Sequence, residues 1–184
     1  MHRRFRADDP ERKRWQDPEG ILTSVGVKAG MVFMDIGCGE GYFTLPAARM
    51  VGPEGSVYAV DIDIDAIDQL IRTATAEGLL NIFPEVNEGE KAVLCEGCAD
   101  FVFFGNNLHD FRDPVKVIEN AKRMLCPTGM LIDLDWRDDP MELGPPAEKR
   151  LNSEKATGMI AAAGFHIRTV RNEGPFHYLI IATH

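Results

Sequence analysis

At 184 residues and 45% hydrophobic content, the chain can build one domain with a sizeable core, and a second domain of ordinary size is not expected. A formal net charge of -9 and a pI near 5.0 argue against a nucleic-acid binder that works by phosphate neutralisation and favour small-molecule partners. No apolar run approaches the length of a bilayer span, and the charged start lacks the apolar stretch of a signal peptide, so the expected location is cytoplasmic.

Residues 1–30 read as a lead-in. The first fourteen carry six Lys or Arg and three Asp or Glu, then Trp15, Gln16, Asp17 and Pro18 precede a short apolar helix around residues 21–25. Such a segment is either a solvated terminus or a lid, and Trp15 is an expensive residue to leave in water. Residues 27–30, VKAG, form a turn, and residues 31–184 read as a single α/β domain.

That domain is organised around MVFMDIGCGEGYF, residues 31–43. The apolar run 31–36 is too short for a helix and suits a parallel strand covered on both faces. Gly37, Gly39 and Gly41 then permit positive φ and close approach to a ligand, and the following helix, expected over 42–50, points its amide end at the same space. A tight strand-to-helix turn that binds nothing is the alternative. A dinucleotide fingerprint would need a third glycine at position 42, which is Tyr42.

The second strand, 56–60, leads to Asp61, 24 residues past Gly37, where a crossover brings an acidic side chain beside a ribose. Asp63 and Asp65 suit helix capping instead. The next helix carries Ile64, Ile67, Leu70, Ile71 and Ala74 at helical spacing and closes at Gly78. Residues 79–86 give a third strand, at the sheet edge because of Pro84, and then a polar loop holds Cys95 and Cys98. With Cys38 and Cys126 these make four cysteines; one C-x-x-C lacks the second half of a zinc site, so unlinked thiols are expected, with a redox or metal role as the alternative and no metal-site residue nominated.

A fourth buried strand, 101–105, ends in NNLHDFRDP, where Asn106 and Asn107 offer neutral hydrogen-bonding groups and His109 can exchange a proton near neutrality. Asp113 and Pro114 start a helix whose expected buried stripe is Val115, Ile118, Ala121, Met124 and Leu125. The fifth strand, 130–135, holds Asp133 where both faces should be covered, and a buried carboxylate needs a partner. Residues 136–152 form a Pro-rich connection, the candidate acceptor loop, followed by a helix over 153–163 and two strands, 165–171 and 176–183, joined as a hairpin.

DIGCGEG resembles motif I of the class I S-adenosylmethionine-dependent methyltransferases, and the stretch 106–114 is similar to the x-x-L-H-x-x-x-D-P segment of members from ubiquinone and menaquinone biosynthesis. The resemblance covers residues 30–135 by motif and the remainder by order of elements. It implies a Rossmann-like, doubly wound sheet of seven strands, mostly parallel, with a C-terminal antiparallel hairpin. It implies S-adenosyl-L-methionine as cofactor, held by Asp35, Gly37, Cys38, Gly39 and Gly41, with Asp61 and Ile62 on the nucleoside, Glu88 at the adenine amino group in place of the usual Asp, and Asn106 and Asn107 lining the reacting space. His109 is the first candidate base, with Asp110 or Asp135 behind it. The function expected is methyl transfer to a small-molecule acceptor. An NAD-dependent oxidoreductase and a non-catalytic cofactor-binding protein are the alternatives; arsenite methylation is disfavoured because the cysteines are not spread for three-thiolate capture.

Overall fold

The computed structural model describes residues 9–184, so the first part of the expected lead-in, residues 1–8, lies outside the described residues. Two short helices open it, α1 (Pro10–Trp15) and α2 (Pro18–Val25), each started by an aspartate cap and a proline in its first turn. The domain continues through β1 (Val32–Ile36), α3 (Thr44–Val51), β2 (Ser56–Asp61), α4 (Ile64–Glu77) and β3 (Ile82–Val86). It is completed by β4 (Ala99–Gly105), α5 (Pro114–Met124), β5 (Leu125–Trp136), α6 (Ser153–Ala162), β6 (His166–Glu173) and β7 (His177–Thr183). The seven strands form one sheet in the order β3-β2-β1-β4-β5-β7-β6. Pairs from β3 to β5 are parallel, and β7 runs antiparallel to both neighbours, so the expected mostly parallel sheet with a terminal antiparallel hairpin is what forms.

Alternation along the strands divides the core between the two faces. Phe33, Phe101, Phe103, Ile132 and Leu179 pack under α2 and α3. Met34, Val102, Phe104, Leu131 and Ile180 pack under α5 and α6. On that second face the connection between β3 and β4 lays Ala92, 1% exposed, and the partly buried Val93 and Leu94 against the sheet where a crossover helix would ordinarily sit. Strand order reverses between β1 and β4, both central and parallel, and open α/β sheets place their ligands at the carboxyl ends of such a pair.

Several expected boundaries shift for identifiable reasons. β3 begins at Ile82 because Asn81 is occupied in tying the turn to α3, donating to the carbonyls of Ala48 and Gly52 at 2.9 and 2.8 Å. α4 buries only Ile67, Leu70 and Ala74; Ile64 and Ile71 are exposed, because the helix sits over the thin edge of the sheet. In α5 Val117 takes the core position expected of Val115, which is 45% exposed. β5 starts at Leu125 rather than Met130: Leu125 pairs with Ala99 and Met130 with Phe101, so residues 126–129 bulge out of the ladder and absorb Pro127. Cys95 and Cys98 are joined as a disulfide, which corrects the expectation of unlinked thiols. Among the described residues no helix is long and apolar enough to cross a membrane.

Candidate active site

The corner after β1 is held from three directions. The amides of Gly37 and Cys38 both donate to the Val60 carbonyl, at 2.7 and 2.9 Å, which fastens the loop to β2. From the end of β4, Asn107 donates its side-chain amide to the carbonyls of Ile36 and Gly37 at 2.7 and 2.8 Å. Asp61, at the end of β2, accepts from the Gly39 amide at 2.7 Å and from the Asp63 amide at 2.9 Å. Gly37, Gly39 and Gly41 all take positive φ, as the turn demands. A Cβ at Gly37 would lie 2.2 Å from Asn107 and one at Gly41 2.5 Å from Leu70, whereas one at Gly39 would stand in open space. Gly39 is therefore the point at which the backbone itself forms the wall of a cleft.

This cleft, about 710 Å³, runs from Asp61, Asp63 and α4 past Gly37 and Gly39 to Asn106, Asn107, His109 and Trp136. Gly144 and Pro145 of the loop 137–152 close its far side. The guanidinium of Arg150 ties that loop together by donating to the carbonyls of Arg137, Asp139, Leu143 and Pro145. Asn106 takes a left-handed φ of 64°, a strained conformation for a residue with a side chain, at the turn where β4 leaves the sheet beside the cleft.

Two acids of the corner differ sharply. Asp35 is fully buried beneath the loop and accepts from the Thr44 hydroxyl at 2.6 Å; burial is the main cause that lifts its pKa to about 7, with the charge of Asp61 adding to the rise. Asp61 borders the cleft, and its carboxylate oxygens keep lone pairs beyond the two amide bonds. Cys38 is buried under the loop, and burial raises its thiol well above the usual range, so it acts as an apolar wall.

At the other end of the cleft His109 sits in a one-turn 3-10 helix at residues 108–110. Its Nδ1 lies 2.8 and 2.9 Å from the two oxygens of Asp135, its backbone amide donates to Asp135 at 3.2 Å, and only 3% of its side chain is exposed. Asp110 lies 3.4 Å from Nε2 at the lip. Burial by itself pulls the His109 pKa down, but the hydrogen bond and charge of Asp135, with the charge of Asp110, outweigh it and leave the imidazole above its ordinary value. Two residues before Asp135 along β5, Asp133 is also fully buried; burial, then repulsion from Asp135, raises it far above a normal carboxylate, so it stands as a neutral acid near Tyr178. Giving up the charge lowers the cost of the position, although neither Asp133 oxygen has a hydrogen-bond partner among the described residues.

Of the residues nominated from sequence, Gly37, Gly39, Asp61, Asn106, Asn107, His109 and Asp110 line the cleft, with Asp135 behind His109. Asp35, Cys38 and Gly41 support the corner from below. Ile62 follows Asp61 and is 65% exposed, an apolar side chain that the described residues leave largely uncovered. Glu88 lies outside the cleft lining: its carboxylate is exposed and bonded to Lys91 at 2.7 Å, because the loop 87–98 turns inward at Ala92 instead. Sequence reading missed Arg12 and Gln16, both buried, which α1 brings against the corner.

The donor set fits a cofactor with an adenosine and an amino-acid end. Asp61 offers an acceptor pair for a diol, Gly39 leaves room for close approach, and the buried Asn107 Oδ1 has no partner among the described residues. A sequence model of the methyltransferase domain matches residues 27–165. The chain belongs to this methyltransferase family. A solved S-adenosylmethionine-dependent methyltransferase from Aquifex aeolicus is similar over nearly its whole length, with 29% identity, a TM-score of 0.90, and 97% of this chain and 98% of that one covered. Nocamycin O-methyltransferase of Saccharothrix syringae is 29% identical over 60% of this chain and 40% of its own, and demethylmenaquinone methyltransferase of Geobacillus kaustophilus is 25% identical over 66% and 51%. The chain thus spans about half, or less, of the length of these curated relatives. The expected class of S-adenosylmethionine-dependent methyltransferase is borne out, and the oxidoreductase alternative finds no support among the matches.

Proposed function

We propose that this methyltransferase moves a methyl group from S-adenosylmethionine to a hydroxyl or amine of a small molecule held between His109, Asn106 and Trp136. The observation that carries the reading is the pairing, along one cleft, of the glycine corner and Asp61 at one end with the buried His109–Asp135 pair at the other.

When bound, the cofactor supplies a methyl group already activated by a sulfonium. The protein's own residues then have three tasks. Gly37, Gly39, Asp61 and Asn107 hold the cofactor, with Asp61 accepting from ribose hydroxyls. His109, fixed by Asp135 at Nδ1, presents Nε2 to accept the acceptor's proton, and Asp110 shares the charge that results. Trp136 and the Arg150-tied loop with Gly144 and Pro145 wall the acceptor end and keep water out. The relatives named for O-methylation and for a menaquinone precursor support a hydroxyl-bearing or ring-bearing acceptor without selecting one.

The test is a metabolite-mixture screen with methyl-labelled S-adenosylmethionine. Label transferred to an acceptor, and lost in His109→Ala, is the expected result. Tight cofactor binding with no transfer to any acceptor would replace the reading with a non-catalytic one, and binding of NAD instead would overturn it.

A further inference from the structure

Beside the main cleft lies a small annex of about 100 Å³, walled by Asp35, Gly37, Cys38, Tyr42, Gly105 and Arg12, with the partly exposed Glu40 at its rim. It opens to the cleft along residues common to both, Gly37, Gly39, Glu40, Gly105 and Arg12. Its chemistry is unlike the rest of the cavity: it places one buried guanidinium and one buried carboxyl around a space too small for a ring system.

Arg12 is held there by its surroundings. Its guanidinium lies over the Tyr42 ring, 3.6 Å from the centroid, and its Nε donates to Gln16 at 2.9 Å. Gln16 is in turn locked against Asn106 by two bonds of 3.2 Å, and the Tyr42 hydroxyl donates to the Gln16 carbonyl. These contacts use the ring face and Nε. Among the described residues no protein group hydrogen-bonds to the two Nη atoms, and no carboxylate lies within ion-pair distance of them, although the residue is only 9% exposed. Burial lowers its pKa to about 10, which still leaves it cationic at neutral pH. A buried, oriented fork with both prongs unengaged is a receptor for an oxyanion with two equivalent oxygens.

We propose that Arg12 receives the carboxylate of the zwitterionic amino-acid end of the cofactor in this annex, and that this contact holds α1 against the glycine corner. The inference rests on the cofactor reading above. It assigns a binding role to the segment before the matched domain, since residue 12 precedes residue 27. Asp35 faces the ammonium side of the same group. The N-terminal helix is then a part of the cofactor site, and the ligand bridges it to the domain.

Two ligands separate this role from a merely structural one. S-adenosylhomocysteine carries the amino-acid end; 5′-methylthioadenosine keeps the adenosine and thioether and lacks it. By calorimetry, Arg12→Gln should weaken S-adenosylhomocysteine roughly 10- to 100-fold and leave 5′-methylthioadenosine within about twofold, the span expected for one charge-assisted, two-pronged contact. Arg12→Lys, which keeps the charge without the fork, should fall between. Amide exchange across residues 10–16 of the wild-type protein should slow with S-adenosylhomocysteine and not with 5′-methylthioadenosine. Equal weakening of both ligands by Arg12→Gln would show that Arg12 only props the corner, and no weakening of either would show that the annex does not hold the carboxylate; each result overturns the proposal. A wild-type protein that binds neither ligand would instead sink the cofactor reading itself.

Discussion

Replacing Gly39 by alanine separates the backbone cost of the corner from its role toward a ligand. Gly39 sits at φ 54°, and a Cβ there would have no atom of the described residues within 4 Å beyond its own chain neighbours, so the added methyl meets open space and the cost is the left-handed conformation alone. That cost is about 1–2 kcal/mol, which for a domain of this size lowers Tm by roughly 2–8 °C. The methyl projects into the cleft where the cofactor should contact the backbone, so binding of S-adenosylhomocysteine should weaken at least about tenfold, or roughly 1.4 kcal/mol. Gly37→Ala is the contrasting change. Its Cβ falls 2.2 Å from Asn107 Nδ2, and moving that amide strands two carbonyls bonded at 2.7 and 2.8 Å, so its Tm should drop roughly twice as far or more. Differential scanning calorimetry and titration calorimetry on the two variants decide the matter. Gly39→Ala binding within about twofold of wild type would refute the cleft as the ligand's place. A Tm loss as large as that of Gly37→Ala would refute the claim that Gly39 faces open space.

Asp61→Ala should weaken cofactor binding by roughly 1.5–3 kcal/mol, since it loses both the ribose contact and the bonds that hold Gly39 and Asp63; unchanged affinity would remove Asp61 from the site. Because His109 titrates above the ordinary imidazole value, methyl transfer should fall as pH drops through that raised pKa, and Asp135→Asn should move the inflection downward while slowing turnover on the order of 10²-fold; a pH profile that does not move would remove Asp135 as the group that sets it. Asp35, at about 7 when folded against an ordinary value of 3.8, favours the folded state least once it is ionised, so its contribution to stability is lost as pH rises from 3.8 to about 7. Asp35→Asn should therefore raise Tm more at a pH above that window than at one near its lower end, and equal shifts at both would contradict its burial. For His177, buried and depressed to about 3, stability should be lost as pH falls below 6.5 toward 3, and His177→Gln should flatten that acid limb in a pH series of melts.

The parts legible in the sequence are those where one local rule has a single outcome. Glycines at 37, 39 and 41 after an apolar run leave few other shapes, and Asp113-Pro114 starts α5 as capping rules require. Asp133 is visibly out of place in the sequence, yet its state as a neutral acid follows from how completely the sheet, including Tyr178 on another strand, covers it, which periodicity does not reveal. The same holds for His109 and Asp135, whose encounter follows from β5 lying beside β4. Arg12 is hidden for a different reason. In a stretch as charged as residues 1–14, one arginine folded onto an aromatic ring has the same composition as its neighbours, and only the docking of α1 distinguishes it. Val115 and Ile64 mislead because a helical stripe fixes a face but not its width, which the sheet beneath decides.

The position of β7 bears on how the molecule can be made. It is the last strand in order along the chain, yet it lies inside the sheet between β5 and β6, with Tyr178, Leu179 and Ile180 each 1% exposed or less. During vectorial synthesis β5 therefore waits with an open ladder edge and a bare apolar flank until residues 177–183 leave the ribosome, and β6 has no neighbour at all. Because His177 also stacks on Trp15, the first helix gains its last aromatic contact only at that same moment. Chains stopped short of residue 177 should consequently be chaperone clients that clump through the β5 edge.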